Sequence, residues 1–294
     1  MRWQDMRPSD NVDDRTDGAS GGGGFPIGGI PLSGGAIIVV VIASLLFGIN
    51  PLELLGLMGG GNPSQVQVPS QPAPGANGAS RATDPQREFV ARVLGDTEDV
   101  WGQVFQSIGK RYVPPRLELF RGATRSGCGT ATTAVGPFYC PADRDVYLDT
   151  DFFRELQNRF GAPGEFARAY VIAHEVGHHV QNLLGTMQQF DARAGGDPRT
   201  RNALSVRLEL QADCYAGVWG HYAQQRGLID TSDIESGMRA AAAVGDDNIQ
   251  KQTQGYVVPD SFTHGSSQQR TRWFSNGLRS GDPRDCDTFN ARSL

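Results

Sequence analysis

Apolar positions along the 294 residues fall into four regimes, and the last is the longest. From residue 84 onward they recur at three- and four-residue spacing, the period of helices with one buried face. Asp84-Pro85 places an N-cap residue before a proline at the first helical position, and Phe89, Val90, Val93 and Leu94 continue the stripe. Val100, Trp101, Val104, Phe105 and Ile108 predict a second helix. Phe152, Phe153, Leu156 and Phe160 predict a third that stops at Gly161. A longer one is expected from Pro163 or Gly164 to about Leu184, with Gly185 as its stop. Ala194 to Pro198 reads as a turn, and the next helix runs from Thr200 or Asn202 to Arg226, closed by Gly227. Two more are predicted. One spans Thr231 to Val244; the other opens at Ser266, which has capping-box spacing to Gln269, and continues through Trp273 and Phe274. Only residues 116–121 and 145–149 carry the β-branched and aromatic content of strands. The expected fold class is α+β, helix-rich with a small sheet.

The three earlier regimes differ from this. Residues 1–29 scatter Arg2, Arg7 and Arg15 among Asp5, Asp10, Asp13, Asp14 and Asp17, then run into Gly21 to Gly24. So few apolar side chains cannot offset chain entropy, and the segment is expected to be disordered. Residues 30–58 centre on the uncharged run Ala36 to Ile49, with Glu53 interrupting the second flank. With its flanks the stretch reaches the ~20 residues a transmembrane helix needs. A cleaved signal peptide and a buried core helix compete with that reading. The long, net acidic leader argues against the first, and the absence of amphipathic partner segments against the second. Residues 59–83, rich in Gly, Pro, Ser and Gln, read as a linker to a domain over 84–294. Three arginines precede the apolar run and none follows until Arg81. The positive-inside rule then predicts a single-pass protein of the inner membrane with a cytoplasmic N-terminus and the domain on the periplasmic or another extracytoplasmic side.

Composition adds two constraints. A net charge of −5 gives no reason to expect a nucleic-acid partner, and nothing in the chain fixes an oligomeric state. The four cysteines, Cys128, Cys140, Cys214 and Cys286, are even in number and contain no C-x-x-C, which suits two disulfides in an oxidising compartment. Of three possible connectivities, Cys128–Cys140 and Cys214–Cys286 are preferred. The first closes a short loop, and the second ties the C-terminal tail to a long helix.

The candidate chemistry lies in His174-Glu175-Val176-Gly177-His178. Residues i and i+4 of a helix share a face, so His174 and His178 can aim at one metal, with Glu175 beside them as a general base. A catalytic zinc needs a third ligand. Gln181 and Leu184 occupy the positions where H-E-x-x-H-x-x-G-x-x-H would put Gly and His, so a later carboxylate must serve. Glu209 and Asp213 are also i and i+4 on a helix. Glu209 is expected to complete the triad, and Asp213 to accept a hydrogen bond from the far nitrogen of one ligand imidazole.

The H-E-x-x-H plus E-x-x-x-D combination resembles the gluzincin class of zinc metallopeptidases. A fuller set is similar to the bacterial membrane-anchored "putative neutral zinc metallopeptidase" family. It comprises Met1 to Asp5, Gly136 to Pro141, Val146 to Asp149, His174 to Gln181, Glu209 to Cys214 and Phe262 to Ser267. The resemblance implies a zincin-like peptidase domain behind a single-pass anchor, Zn2+ as cofactor, and a protein or peptide substrate. The expected reaction is hydrolysis by a metal-activated water with Glu175 as base. Thr263-His264-Gly265 through Arg270 looks like the T-H-P-x-x-x-x-R segment of CAAX-type membrane endopeptidases, with Gly for Pro. His264 is the first candidate for stabilising the oxyanion and Arg270 the second. His179 is turned away from the ligands and is expected to pack locally. The strand Val146 to Asp149 could bind substrate by strand addition. Two other functions suit the same triad: a non-catalytic, zinc-stabilised scaffold, and a zinc hydrolase of a non-peptide bond. Glu175 argues against the first, since a structural site has no use for a base.

Overall fold

The computed structural model describes residues 1–16, 84–132, 135–195 and 197–294. Its strands are β1 (Val12–Asp14), β2 (Leu117–Phe120), β3 (Ala123–Ser126), β4 (Gly129–Thr132), β5 (Phe138–Cys140) and β6 (Asp145–Asp149). Its α-helices are α1 (Pro85–Ser107), α2 (Phe152–Asn158), α3 (Glu165–Leu184), α4 (Thr186–Arg193), α5 (Pro198–Gln225), α6 (Thr231–Ala243), α7 (Asp246–Gln254) and α8 (Ser267–Ser280). The α+β expectation holds. One sheet has the order β1-β2-β6-β5, and β3 and β4 form a separate antiparallel ribbon.

The organising element is α3. It is buried almost all round from Phe166 to Gln181, because α1, α5, α6 and the β5–β6 side of the sheet pack on different faces of it. Helix α5 lies across α3 and is itself gripped by α8. The disulfides are Cys128–Cys140 and Cys214–Cys286, as preferred from the sequence; the second fastens the turn Pro283–Cys286 to α5.

Several expectations are corrected. The stripes ending at Leu94 and starting at Val100 belong to one continuous helix, α1. Helix α5 begins at Pro198, not at Thr200 or Asn202, because Asp197 accepts from the Thr200 N–H and caps it. Helix α7 is additional. Strand β6 is internal, paired with β2 on one side and β5 on the other, so it has no free edge for strand addition. Among the described residues the outer strands are β1 and β5, and β5 is the one on the side of β6.

The largest correction concerns the N-terminus. Residues 1–16, expected to be a disordered segment of the cytoplasmic side, are built into the domain. Val12 to Asp14 pair in parallel with Leu117 to Leu119, and Met6 is buried. The Arg92 guanidinium donates to the carbonyls of Gln4 and Met6, and the Trp3 indole N–H donates to Glu165 of α3. Gly95 sits mid-helix in α1 for this reason: a Cβ there would lie 2.2 Å from the Arg7 carbonyl oxygen. Many small polar contacts, and not an apolar run, hold the segment. That is why hydrophobic patterning passes over it.

The expected anchor over 30–58 and linker over 59–83 lie outside the described residues. Among the described residues no helix is long and apolar enough to cross a membrane. Residues 1–16 pack against the domain that begins at residue 84.

Candidate metal centre and active site

His174 and His178 stand one turn apart on α3 and turn their Nε2 atoms toward Glu209 of α5, at 3.2 Å from Oε2 and 3.5 Å from Oε1. One ligand atom from each of the three residues lies within 4.8 Å of the others, as expected from the sequence. The two helices must run very close to bring this about, and Gly177 permits it. A Cβ there would meet the Ala212 carbonyl oxygen at 2.9 Å and its Cα at 3.1 Å, between Glu209 and Asp213 on α5. Gly177→Val is therefore expected to push α5 away from α3. It should cost about 1–3 kcal/mol of stability as overpacking does, and weaken zinc binding by at least about tenfold. Thermal melts with a chelator titration check both; unchanged zinc affinity would show that the ligands do not depend on this contact.

Each imidazole is oriented through its other nitrogen. His174 Nδ1 donates to Asp213 at 2.9 Å, and His178 Nδ1 donates to Gln181 Oε1 at 2.9 Å. Both Nε2 lone pairs are thereby directed at the Glu209 side. Asp213 has the role expected of it, within a larger network. Arg270 donates to both of its carboxylate oxygens at 2.9 Å, and the Tyr170 hydroxyl also donates to it. Burial opposes ionisation of Asp213, but Arg270 and His174 hold its carboxyl below the usual range. Arg270 also donates to the Val244 carbonyl. Its guanidinium is thus committed to supporting Asp213, and the oxyanion role considered for it is not the one its contacts express.

His264 is the better placed donor. Its Nδ1 is 3.0 Å from Asp246 Oδ1, and its ring lines the cleft that contains the triad. Asp246 is fully buried, and its Oδ2 accepts the backbone N–H groups of Thr263, His264 and Gly265. Burial disfavours the His264 imidazolium, yet Asp246 outweighs it and the net shift is upward. Gly265 has φ +93°, which no proline can adopt, so this turn departs from the T-H-P pattern. Sequence reasoning missed Asp246. It opens the unanticipated α7, and no spacing rule links it to His264.

Glu175 is buried beside the triad, and burial raises its carboxyl above the usual range against the pull of His174 and His178. His179 packs locally as expected, between the Val113 carbonyl and the Tyr139 hydroxyl, with burial lowering it to about 4. The cleft walls are largely apolar, including Phe138, Val171, Met187, Phe190, Leu208 and Ile249, and β5 runs along it.

These residues fit zinc. Glu209 is buried, with its carboxylate oxygens toward both Nε2 atoms. A buried carboxylate facing two imidazole lone pairs is costly unless a cation joins them. Two nitrogens and one oxygen opening onto a cleft form the donor set of a catalytic zinc site.

Comparison with known proteins agrees. The chain is 47% identical over 294 residues to the uncharacterised protein YpfJ of Escherichia coli (strain K12), covering 98% of this chain and 99% of that one. It is 44% identical over 256 residues to the uncharacterised protein Mb2605 of Mycobacterium bovis, covering 82% and 86%. No solved structure matches the chain. The model of the family described as "Putative neutral zinc metallopeptidase" matches residues 1–289, ordered N-terminus and C-terminal turn included, and this chain belongs to that family, with Zn2+ as its cofactor.

Proposed function

We propose that the protein is a zinc-dependent endopeptidase. The observation that carries this reading is Glu175, a buried carboxyl with a raised pKa set beside the His174–His178–Glu209 triad at the floor of a cleft. Bound zinc supplies Lewis acidity and lowers the pKa of a coordinated water to about 7. Glu175 accepts the proton of the attacking water and returns it to the leaving amine. His264, its Nδ1 held by Asp246, lines the cleft as a donor for the developing oxyanion. Strand β5 offers its outer edge, unpaired among the described residues, to an extended peptide, a mode of binding that needs no free chain end and so favours internal bonds. The apolar walls suit a large apolar side chain next to the scissile bond.

We further propose an extracytoplasmic location. Its support is the pair of disulfides, which persist in oxidising compartments.

The test is cleavage of a library of unstructured peptides by the purified full chain. Hydrolysis should disappear on chelation and return with zinc, with apolar residues enriched at the cut. His264→Ala is expected to lower kcat by about 10²–10³, the loss typical of one oxyanion donor, with zinc content unchanged. Asp246→Asn should follow in the same direction. An inactive zinc-loaded protein across the whole library would favour a non-peptide substrate or a scaffold. Unchanged kcat in His264→Ala would remove that residue from the mechanism.

A further inference from the structure

The hydrogen bond that orients His178 does not stop at Gln181. Gln181 Nε2 donates to the Leu208 carbonyl at 2.7 Å and to Gln211 Oε1 at 3.1 Å. Gln211 Nε2 in turn donates to the Cys286 carbonyl at 2.9 Å, in the C-terminal turn. Gln181, Gln211 and Cys286 are all buried. We propose that the C-terminal tail is a positioning part of the metal centre: the Cys286 carbonyl, held in place by the Cys214–Cys286 disulfide, orients His178 through Gln211 and Gln181. This rests on the zinc reading above.

The direction of the relay follows from the chemistry of its end. A carbonyl can only accept, so Gln211 must present its NH2 to Cys286. Its oxygen then faces Gln181, which must present NH2, and the Leu208 carbonyl demands the same. Gln181 is left with its oxygen toward His178, so Nδ1 carries the proton and Nε2 keeps its lone pair. Reversing either amide would set oxygen against oxygen in a buried site. The two ligand imidazoles are thus oriented differently. His174 leans on a carboxylate clamped by an arginine, whereas His178 depends on a neutral chain that takes its polarity from the tail.

The tail also packs on the domain through Phe289, Ala291 and Leu294, and Asn276 donates to the Asp285 carbonyl, but the disulfide is its one covalent tie among the described residues. After α8 it contains only the short turn Pro283–Cys286. It is fixed by the disulfide to α5, one residue beyond Asp213, and by a reciprocal pair: Thr288 Oγ1 donates to the Arg207 carbonyl at 2.6 Å while the Arg207 side chain donates to the Thr288 and Ala291 carbonyls. The relay therefore makes His178 sensitive to a covalent bond that touches neither the metal ligands nor the cleft.

The experiment measures zinc affinity of the full chain by chelator competition, together with the visible spectrum of the cobalt(II)-substituted protein. The variants are Gln181→Leu, Gln211→Met and the pair Cys214→Ser with Cys286→Ser; the control is the pair Cys128→Ser with Cys140→Ser. Loss of an outer partner typically weakens metal binding about 10–100-fold. Gln181→Leu should lie near the top of that range. Gln211→Met should lie near the bottom, because the Leu208 carbonyl still restrains Gln181. The Cys214/Cys286 pair should be weakened by at least as much as Gln211→Met, and each variant should alter the cobalt spectrum. The control should stay within about twofold of wild type, since its disulfide has no link to the relay. Wild-type affinity and an unchanged cobalt spectrum in Gln211→Met overturn the proposal, and this nearly isosteric change keeps the test valid if the cysteine pair fails to fold. Equal weakening in the control overturns it too, by showing a general loss of packing. A wild-type chain that binds no zinc fails earlier, and sinks the zinc reading itself.

Discussion

Glu175→Gln is expected to keep about one zinc per chain and to lose peptide hydrolysis by a factor of about 10²–10⁴, the range removed with a general base. Glu175 is the nearest carboxyl to the ligands in sequence but is not one of the three that converge. Glutamine preserves its volume and can still hydrogen-bond, so the neighbours of His174 and His178 have no reason to move. What it lacks is a basic oxygen. The buried setting that raises the Glu175 carboxyl brings its basicity toward the working pH, and burial costs a neutral amide less than a carboxylate. Substrate affinity should therefore change little, and the loss should fall on kcat. Metal analysis and single-turnover cleavage on one preparation separate the two quantities. Loss of zinc would make Glu175 a ligand, and residual full activity would take it out of the proton path. If wild type and variant bind peptides equally and neither cleaves, the scaffold reading gains.

The metal centre was legible because its determinants are local. His174 and His178 share a helical turn, as do Glu209 and Asp213, and a 3.6-residue period places each pair on one face without knowledge of the fold. Gly177 was visible in the motif, but its purpose appears only once α5 is seen crossing at Ala212. Asp246 and the relay through Gln211 to Cys286 were not legible. Each depends on a contact between residues far apart in sequence, and neither Asp nor Gln announces such a partner by its type. Gln181 illustrates the limit. In the sequence it stands where another zinc motif has glycine and closes the stretch that carries the family resemblance, whereas in the structure it orients the second histidine.

The errors have a common origin. Hydrophobic patterning locates surfaces that exclude water, and residues 1–16 attach mostly by hydrogen bonds and ion pairs such as Arg7 with Glu98 and Asp99. Strand β1 is a short edge strand with a single buried apolar residue, Val12, a pattern below the threshold at which alternation can be read. The same weakness put strand addition on β6, which is paired on both sides. Strand β6 has the stronger β composition because it is central, and the outer strand β5 is only three residues long.

Glu209→Ala is expected to weaken zinc binding by about 3 kcal/mol, roughly a hundredfold, if the ~10–16 kcal/mol of a four-ligand zinc site is shared evenly among its ligands. The actual loss should be no smaller, because Glu209 is the only negative charge among the three and is buried. It comes from α5, whereas both histidines come from α3, so its removal also takes away the cross-link that the metal makes between the helices. The fold should survive. Helix α5 remains held by the Cys214–Cys286 disulfide, by its packing on α8, and by the Asp213–Arg270 pair. Zinc stoichiometry after dialysis against a weak chelator, with circular dichroism to confirm the helices, reads both outcomes. A variant that keeps zinc at wild-type affinity would move the third ligand elsewhere. Around the triad, Asp246, Asp213 and Glu175 are buried carboxylates left to consider, and the first two are already committed to His264 and Arg270.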